Sequence, residues 1–331
     1  MKFKYLKVAT FNTQGLRSCK IKRKKITEDA ERYDIQVMGI TETHIKESTV
    51  EHFKSKQKRY TIYHNGIEEE SQFTGVGIVI EEDIPATFTR VNDRICYAEL
   101  KLGGYTAIFI VAYAPTLKVS EENPGRRDKF YECLSEVTTK ANRSRHLMIC
   151  CGDFNAKTGT GYEEYPRNIG KFGKGMVNSN GRFLLEYAKE FDMILTNTTF
   201  DHKMCHRTTW ISPERTANHN HFDGTERRNP YRNQIDYILV KNSFRRLVQD
   251  CRSYGGFETS SDHKPVILKM KLDWWKLTKK ITSTAPKINF ENVHNEEMRN
   301  EYSQQVASEI NKEKVNEEED INLKWEKMVE I

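Results

Sequence analysis

The chain has 331 residues, of which 37% are hydrophobic and 30% are charged, and its formal net charge is +6 at pH 7. This composition is typical of a protein with a substantial core and a polar surface, and the length is compatible with one large layered domain. No run of 18 apolar residues is present, so we expect no membrane span. The first residues enter an alternating strand pattern without an apolar leader, so we do not expect secretion.

The charge is unevenly distributed along the chain. Residues 276–331 contain nine basic and twelve acidic residues, whereas residues 1–275 contain 44 basic and 35 acidic ones. We therefore predict a basic globular domain, 1–275, and a charged, partly helical extension or linker, 276–331. A basic domain indicates a polyanionic partner, although many basic surfaces bind nothing in particular. Seven cysteines without a leader segment indicate reduced thiols in the nucleus or cytoplasm.

Apolar runs and alternation predict the elements in chain order. Strands are predicted at 3–11, 35–43, 61–66, 75–82, 94–102, 105–115, 147–151, 194–198, 207–210, 235–240 and 264–272, and helices from the basic segment ending near residue 33, at 123–143 and at 181–193. Many strands follow one another without an intervening helix, which disfavours a purely parallel sheet. The pattern predicts an α/β fold with two packed sheets and helices outside them.

Isolated polar side chains stand where the predicted strands begin or end. Each is compatible with an ordinary turn or surface position, because turns favour Gly, Asp and Asn. Strand ends from two facing sheets can converge on one cleft, so their joint occurrence favours a functional site. The residues are Asn12, Glu42, Tyr113, Asp153, Asn155, Asp236, Asp262 and His263.

Six segments then carry a resemblance to a known superfamily. In order they read VATFNTQGLR, GITETHI, VAYAP, CGDFNAKTG, RNQIDYIL and SDHKPV. Over about residues 5–272 they resemble the motifs of the endonuclease/exonuclease/phosphatase superfamily, most nearly the apurinic-endonuclease-like domain of non-long-terminal-repeat, RTE-type retrotransposons and of craniofacial development protein 2-like proteins. The resemblance implies a DNase I-like, four-layer α/β sandwich with two packed mixed β-sheets and outer helices.

The resemblance also implies an activity and its catalytic residues. The activity is a Mg²⁺-dependent endonuclease that nicks DNA and leaves a 3′-hydroxyl, as in retrotransposon target-site nicking. Asp153 would orient and deprotonate the attacking water, with Asn155 beside it. His263 would face the scissile phosphate, and Asp236 would accept its other ring N–H. Neutral hydrogen bonds to phosphate oxygens are implied for two further residues, Asn12 and Tyr113.

The metal site implied by the resemblance contains Glu42 and Asp262. Carboxylate oxygens suit Mg²⁺, a hard cation, with Mn²⁺ as an alternative. Two positions depart from the DNA-repair relatives. Gln14 replaces an aspartate of the metal site, which predicts weaker Mg²⁺ binding, and Thr116 replaces an asparagine, which puts abasic-site specificity in doubt.

A long segment between Trp210 and Gln234 is similar to the hairpin that reaches DNA in retrotransposon nucleases. Its arginines would contact phosphates or a narrow minor groove, and the alternative is a solvated insertion. Its histidines lack a recurring zinc-ligand spacing. The basic run 20–25 has three readings: a DNA-facing helix, a nuclear-import signal or an ordinary solvated face. The predicted DNA-binding residues are Thr209, Arg215, Arg227, Arg228, Arg232 and Asn233.

Two alternatives to a DNA-nicking enzyme stay open. One is an abasic-site enzyme or another phosphodiesterase or phosphatase of the superfamily, and the other is a catalytically silent nucleic-acid-binding protein with the same fold. We expect DNA as the partner, no membrane association, a monomer, and a nuclear or alternatively cytoplasmic location. The C-terminal extension is expected to lead toward a reverse transcriptase missing from this sequence, as in a truncated element or a domesticated copy.

Overall fold

The computed structural model describes residues 5–17, 19–66, 74–102, 105–142, 146–160, 163–212 and 232–272, together with residue 304. The ranges from 5 to 272 belong to a compact unit, Met1–Thr278, and a second unit comprises Lys279–Ile331. The predicted boundary at residue 275, the extension 276–331 and most of the segment between Trp210 and Gln234 lie outside the described residues.

The described part of the chain forms strands, helices and two 3-10 turns. The strands are β1 (Tyr5–Asn12), β2 (Val37–Thr41), β3 (Val50–Lys54), β4 (Arg59–Asn65), β5 (Val76–Glu81), β6 (Ala86–Asn92), β7 (Ile95–Leu102), β8 (Tyr105–Tyr113), β9 (Leu147–Asp153), β10 (Met193–Leu195), β11 (Trp210–Ile211), β12 (Arg232–Asn233), β13 (Asp236–Lys241), β14 (Val248–Ser253) and β15 (Val266–Lys271). The helices are α1 (Lys20–Arg32), α2 (Leu117–Glu122), α3 (Pro124–Ala141), α4 (Ser179–Glu190) and α5 (Met204–Arg207), and the 3-10 turns are Thr196–Thr198 and Asn242–Leu247. None of these helices is long and apolar enough to cross a membrane.

Two large mixed sheets carry the fold, as the sequence predicts. A seven-stranded sheet has the order β14-β15-β1-β2-β5-β4-β3, and a six-stranded sheet has the order β10-β13-β9-β8-β7-β6. Each contains one parallel pair, β1 with β2 and β8 with β9, and the other pairs are antiparallel. Strands β11 and β12 form a separate two-stranded ribbon, in which Trp210 also bridges to His263 just before β15.

Three apolar clusters hold four layers together. One cluster fills the space between the sheets, with Val8 from the first sheet and Val111 from the second among its members. A second joins the outer face of the six-stranded sheet to α3 and α4, and a third joins the outer face of the seven-stranded sheet to α1. The adjacent cysteines Cys150 and Cys151 are both fully buried and belong to different clusters, because neighbouring residues of a strand face opposite sides.

The sequence patterns located the central elements and missed the peripheral ones. The strands β3, β6, β12 and β14 were not predicted, because they are exposed or only half-buried and lack a continuous apolar run. The predicted strand 207–210 is wrong in its first half, where α5 ends at Arg207 and strand pairing begins only at Trp210. The strand predicted at 194–198 stops at Leu195 and continues as a 3-10 turn.

The inter-sheet contact predicts a specific sensitivity at Gly39 in β2. A Cβ atom placed there would lie 2.7 Å from Val111 Cγ2 and 2.8 Å from Cys151 Sγ, both in the opposite sheet. We expect Gly39→Ala to lower the free energy of unfolding by about 1–3 kcal/mol through overpacking, measured by urea denaturation. Gly125→Ala in α3 is the matched control, because a Cβ there meets only Asn123 Oδ1 at 3.5 Å. Equal denaturation midpoints for the two variants would contradict this packing argument.

Candidate active site

The two parallel strand pairs bring polar side chains to one edge of each sheet. In the seven-stranded sheet, Asn12 at the end of β1 is paired with Thr41, and Glu42 follows directly. In the six-stranded sheet, Tyr113 at the end of β8 is paired with Asp153 at the end of β9. The carboxyl ends of parallel strands meet at the same edge, so these groups lie together because of the topology.

Asn12 connects the two sheets at this edge. Its Nδ2 donates to Glu42 Oε1 at 2.8 Å and to Asp153 Oδ2 at 2.9 Å, and Asn12 itself is completely buried. The Tyr113 hydroxyl donates to the same Glu42 oxygen at 2.8 Å. The predicted residues Asn12, Glu42, Tyr113 and Asp153 therefore form one hydrogen-bonded group.

The environment of Glu42 favours its charged form. Burial by itself would raise the pKa of this carboxyl group, but the neighbouring His44 and the hydrogen bonds from Asn12 and Tyr113 outweigh burial and lower the pKa below its ordinary value. His44 Nε2 lies 3.7 Å from Glu42 Oε2. Glu42 is thus a carboxylate held in a fixed orientation.

His263 and Asp236 form a buried hydrogen-bonded pair. His263 Nδ1 lies 3.0 Å from Asp236 Oδ2, and Asp236 opens β13 opposite Asp153. The other ring nitrogen, Nε2, faces the site at 3.8 Å from Asp153 Oδ2 and 3.7 Å from Asp262 Oδ1. Burial opposes protonation of His263, but the charges of Asp236, Asp153 and Asp262 and the Asp236 hydrogen bond raise its pKa to about 10.

Asp153 is buried and close to other acids, and both features raise its pKa. Burial is the larger cause, the negative charge of Asp236 adds to it, and the nearby His263 acts in the opposite direction. The backbone N–H of Asn155 donates to Asp153 Oδ1 at 2.9 Å and fixes this carboxyl group. A carboxyl group with a raised pKa, held beside a histidine, is suited to proton transfer.

Asp262 is held by two hydrogen bonds, one through its side chain and one through its backbone N–H. The Trp210 indole Nε1 donates to Asp262 Oδ2 at 2.9 Å, and the Asp262 backbone N–H donates to Gln14 Oε1 at 3.1 Å. Asp262 Oδ1 is buried and has no hydrogen-bond donor among the described residues. Burial is the main cause that raises the pKa of Asp262.

These groups fit a hard divalent cation. The buried Asp262 oxygen without a donor and the ionised Glu42 offer carboxylate ligands of the kind that Mg²⁺ and Mn²⁺ prefer. A second grouping is closer in space, because the ligand atoms of Asp153, Asp236 and His263 lie within 4.8 Å of one another. Two of these three residues already share a hydrogen bond through His263 Nδ1, which accounts for their proximity.

Several residues around the site have an unusual backbone conformation. Gln14, Glu42, His44 and Asn155 all have φ between 46° and 53°, the left-handed region that non-glycine residues rarely adopt. Such strain persists only where surrounding contacts enforce it, and it is typical of functional sites. In Asn155 the side-chain Nδ2 donates to Ala114 O at 3.0 Å, so the amide is tied to the exit of β8.

The predicted DNA-binding residues are only partly described. Thr209 is buried, and its hydroxyl oxygen accepts the backbone N–H groups of Ile235 and Asp236 at 3.0 and 3.1 Å. Arg232 is exposed and Asn233 half-buried in β12, the strand that pairs with β11. The remaining three, Arg215, Arg227 and Arg228, lie outside the described residues.

Three residues of the site were not singled out from the sequence. They are Trp210, which holds Asp262, His44 beside Glu42, and Ser261, whose hydroxyl donates to Asn12 O at 2.8 Å and accepts from the His263 N–H at 3.1 Å. His44 and Ser261 lie inside two of the six segments, and Trp210 follows the predicted residue Thr209, so their positions gave a signal. Two of these contacts, Trp210 with Asp262 and Ser261 with Asn12, join segments far apart in the chain, and no spacing within one segment reveals them.

This fold and site define a known class, and the chain belongs to the endonuclease/exonuclease/phosphatase family, whose pattern matches residues 9–263. Craniofacial development protein 2 of Bos taurus is 29% identical over 296 residues, a match that covers 88% of this chain and 45% of that protein. The chain therefore spans less than half the length of this curated relative.

Two solved structures show the same fold at low sequence identity. The endonuclease domain of TRAS1, a telomere-specific non-LTR retrotransposon, has a TM-score of 0.55 and 15% identity, and the match covers 81% of this chain and 99% of that one. The AP endonuclease LMAP from Leishmania major has a TM-score of 0.58 and 16% identity, covering 81% and 88%. The predicted DNase I-like sandwich is confirmed.

The His263–Asp236 pair predicts a measurable change on substitution. In Asp236→Asn the neighbouring negative charge is removed, so the pKa of His263 should fall from about 10 towards its ordinary value of 6.5. Titration of the imidazole signals by NMR without divalent ions measures this pKa. Asp250→Asn, which alters the separate pair with His202, is the control. An unchanged titration of His263 would contradict the assigned contact.

Proposed function

We propose that the chain is a divalent-metal-dependent phosphodiester hydrolase that nicks DNA and leaves a 3′-hydroxyl. The observation that carries the proposal is the buried His263–Asp236 pair, which presents His263 Nε2 3.8 Å from Asp153 Oδ2 in a chain of this family. Two fixed carboxylates, Glu42 and Asp262, adjoin that pair. A histidine, a base and a metal-binding carboxylate pair are the groups that phosphodiester hydrolysis needs.

The residues divide the chemistry among themselves. Asp153 orients the attacking water and takes its proton. The backbone N–H of Asn155 holds the Asp153 carboxylate in place. His263 in its charged form donates to a nonbridging phosphate oxygen, while Asp236 fixes the ring through Nδ1. Asn12 and Tyr113 orient Glu42 through their hydrogen bonds. A cation bound by Glu42 and Asp262 would neutralise charge that develops on the phosphate and leaving oxygens.

DNA is the substrate that several observations support together. The first 275 residues are basic, and both structural relatives described above are named as nucleases, one of them from a retrotransposon. The proposed activity is target-site nicking derived from a retrotransposon, in a monomer located in the nucleus. The proposal also includes the domain boundary at residue 275 and a C-terminal extension that leads toward a reverse transcriptase. The family description also includes phosphatases, so phosphatase or abasic-site activity is the second candidate.

A plasmid assay tests the proposed activity. With supercoiled plasmid and Mg²⁺ we expect nicked circles, and without a divalent ion we expect none. Asp153→Ala and His263→Ala should each reduce the rate by about a hundredfold or more, since each removes a group that moves or stabilises a proton. Lys54→Met, at the exposed edge strand β3, is the control that should retain the wild-type rate.

Two outcomes would contradict the proposed enzyme. Plasmid binding without nicking would favour the catalytically silent protein. Rapid release of phosphate from a 3′-phosphate end without any nicking of intact plasmid would favour the phosphatase. Ligation of the nicked product without prior end treatment checks that the ends are a 3′-hydroxyl and a 5′-phosphate.

Gln14 provides a separate test of the metal site. Its amide oxygen accepts the Asp262 N–H, so it lies beside a proposed metal ligand but carries no charge. We expect Gln14→Asp to lower the Mg²⁺ concentration that gives half-maximal nicking, because a further carboxylate strengthens binding of a hard cation. Gln14→Asn, shortened in the same way but neutral, is the matched control. The same half-saturating concentration for Gln14→Asp and wild type would contradict the prediction.

A further inference from the structure

Four basic residues, three of which act electrostatically on the fourth, lie in segments that adjoin the site and have no part in the chemistry proposed for bond cleavage. They come from four separate segments of the chain. Three of them are attached to the stretch from Thr208 to Ile211, which runs from the end of α5 into β11 and is called the anchor below. The four residues are Lys157, Lys174, Arg232 and Lys264.

Lys174 is attached to this anchor through its side chain. Its Nζ donates to Thr208 Oγ1 at 2.8 Å, and the residue is half-buried. The next residue of the anchor, Thr209, accepts the backbone N–H of Lys264 at 2.6 Å through its carbonyl oxygen. Lys264 directly follows His263, so this group of cations begins one residue from the proposed catalytic histidine.

The backbone that carries Lys174 is held tightly. A Cβ at Gly173 would lie 1.9 Å from Gly159 O, and a Cβ at Gly170 would lie 2.1 Å from Thr198 O. The Phe172 N–H also donates to Thr198 O at 2.9 Å. These close approaches require glycine and fix the loop before Lys174 against the six-stranded sheet side of the molecule.

Arg232 and Lys157 complete the group. Arg232 is exposed in β12 and is paired with Ile211 of the anchor. The Lys157 N–H donates to Asn178 Oδ1 at 3.0 Å, which fixes the backbone of this residue just beyond Asp153 and Asn155. Both residues therefore have defined backbone positions beside the site.

The four cations are not neutralised within the described part of the chain. None of them has a carboxylate oxygen within 4.0 Å there. Burial, assisted by the positive charges of Arg232, Lys264 and Lys157, lowers the pKa of Lys174 to about 8. Holding like charges together has a free-energy cost, and an anion bound among them would remove it.

We infer that Lys157, Lys174, Arg232 and Lys264 form a binding site for the phosphates of the DNA backbone next to the scissile phosphate. This inference rests on the proposed function and extends it, because it assigns contacts that hold the duplex in place and do not take part in bond cleavage. The four residues come from separate segments, and three of them are attached to the anchor, which fits a polyanion better than a single free anion. Contacts to phosphates position a duplex without reading its sequence.

The salt dependence of DNA binding tests the inference. Binding of the full chain to a fluorescent DNA duplex is measured in EDTA at several NaCl concentrations, so that no cleavage occurs. Removing one lysine that neutralises a phosphate should reduce the slope of log K against log [NaCl] by about 0.9. We expect this reduction in Lys174→Met, and about twice the reduction in the double variant Lys174→Met/Lys264→Met.

Two matched variants separate charge from folding. Lys174→Arg keeps the positive charge and should keep the wild-type slope. Lys54→Met removes one exposed lysine from β3 and should also keep it. The inference is overturned if Lys174→Met has the slope of Lys54→Met, or if the wild-type chain shows no salt-dependent binding to the DNA duplex. The same measurement is made with an RNA duplex, and a slope that changes only with RNA also overturns the inference.

The outcome is distinguishable from that of the proposed function. Wild-type nicking of plasmid together with an unchanged slope in Lys174→Met would reject this phosphate site and leave the nuclease standing. A reduced slope in Lys174→Met without any nicking by the wild type would support the phosphate site and reject the nuclease.

Discussion

The amide of Asn12 is the interaction on which the site depends. It donates to Glu42 in its own sheet and to Asp153 in the other sheet, so a single side chain sets the separation of two carboxylates from different layers. The contact is buried, and a buried amide that loses its acceptors is costly, which makes the arrangement rigid. The close packing of Gly39 against Val111 and Cys151 brings the same two sheets together within the core.

The concentration of acids at this edge has an electrostatic consequence. Asp153, Asp236 and Asp262 lie around one imidazole, and burial, with the charges of neighbouring acids added to it, raises the pKa values of Asp153 and Asp262. A divalent cation would relieve this repulsion, so binding of a cation and stability of the fold should reinforce each other. Lys157, Lys174, Arg232 and Lys264 repel one another in the same way, and a bound polyanion would relieve the repulsion among these positive charges.

The site also shows how main-chain geometry supports side-chain chemistry. Thr209 uses its hydroxyl to hold the first residues of β13, and Trp210 uses its indole to hold Asp262. The short strand β11 and the residue before it thereby fix both an acid of the histidine pair and a proposed metal ligand. Because β11 also pairs with β12, the backbone of Arg232 is connected through Ile211 to the residues that hold the site.

The sequence by itself determined the two-sheet α/β fold, the central strands and the catalytic candidates at the strand ends. Apolar runs and the polar residues that end them are local features, so they can be recognised from the sequence alone. The half-exposed strands such as β3 and β14 could not be predicted, because their stability comes from pairing with neighbours and leaves little trace in hydrophobicity. Only the tertiary structure decided that Asn12 bridges Glu42 and Asp153, that Trp210 holds Asp262, and that Lys174 and Lys264 are attached to the adjacent residues Thr208 and Thr209. These contacts join residues distant along the chain, and the stacking of the sheets and the closure of the loops determine them.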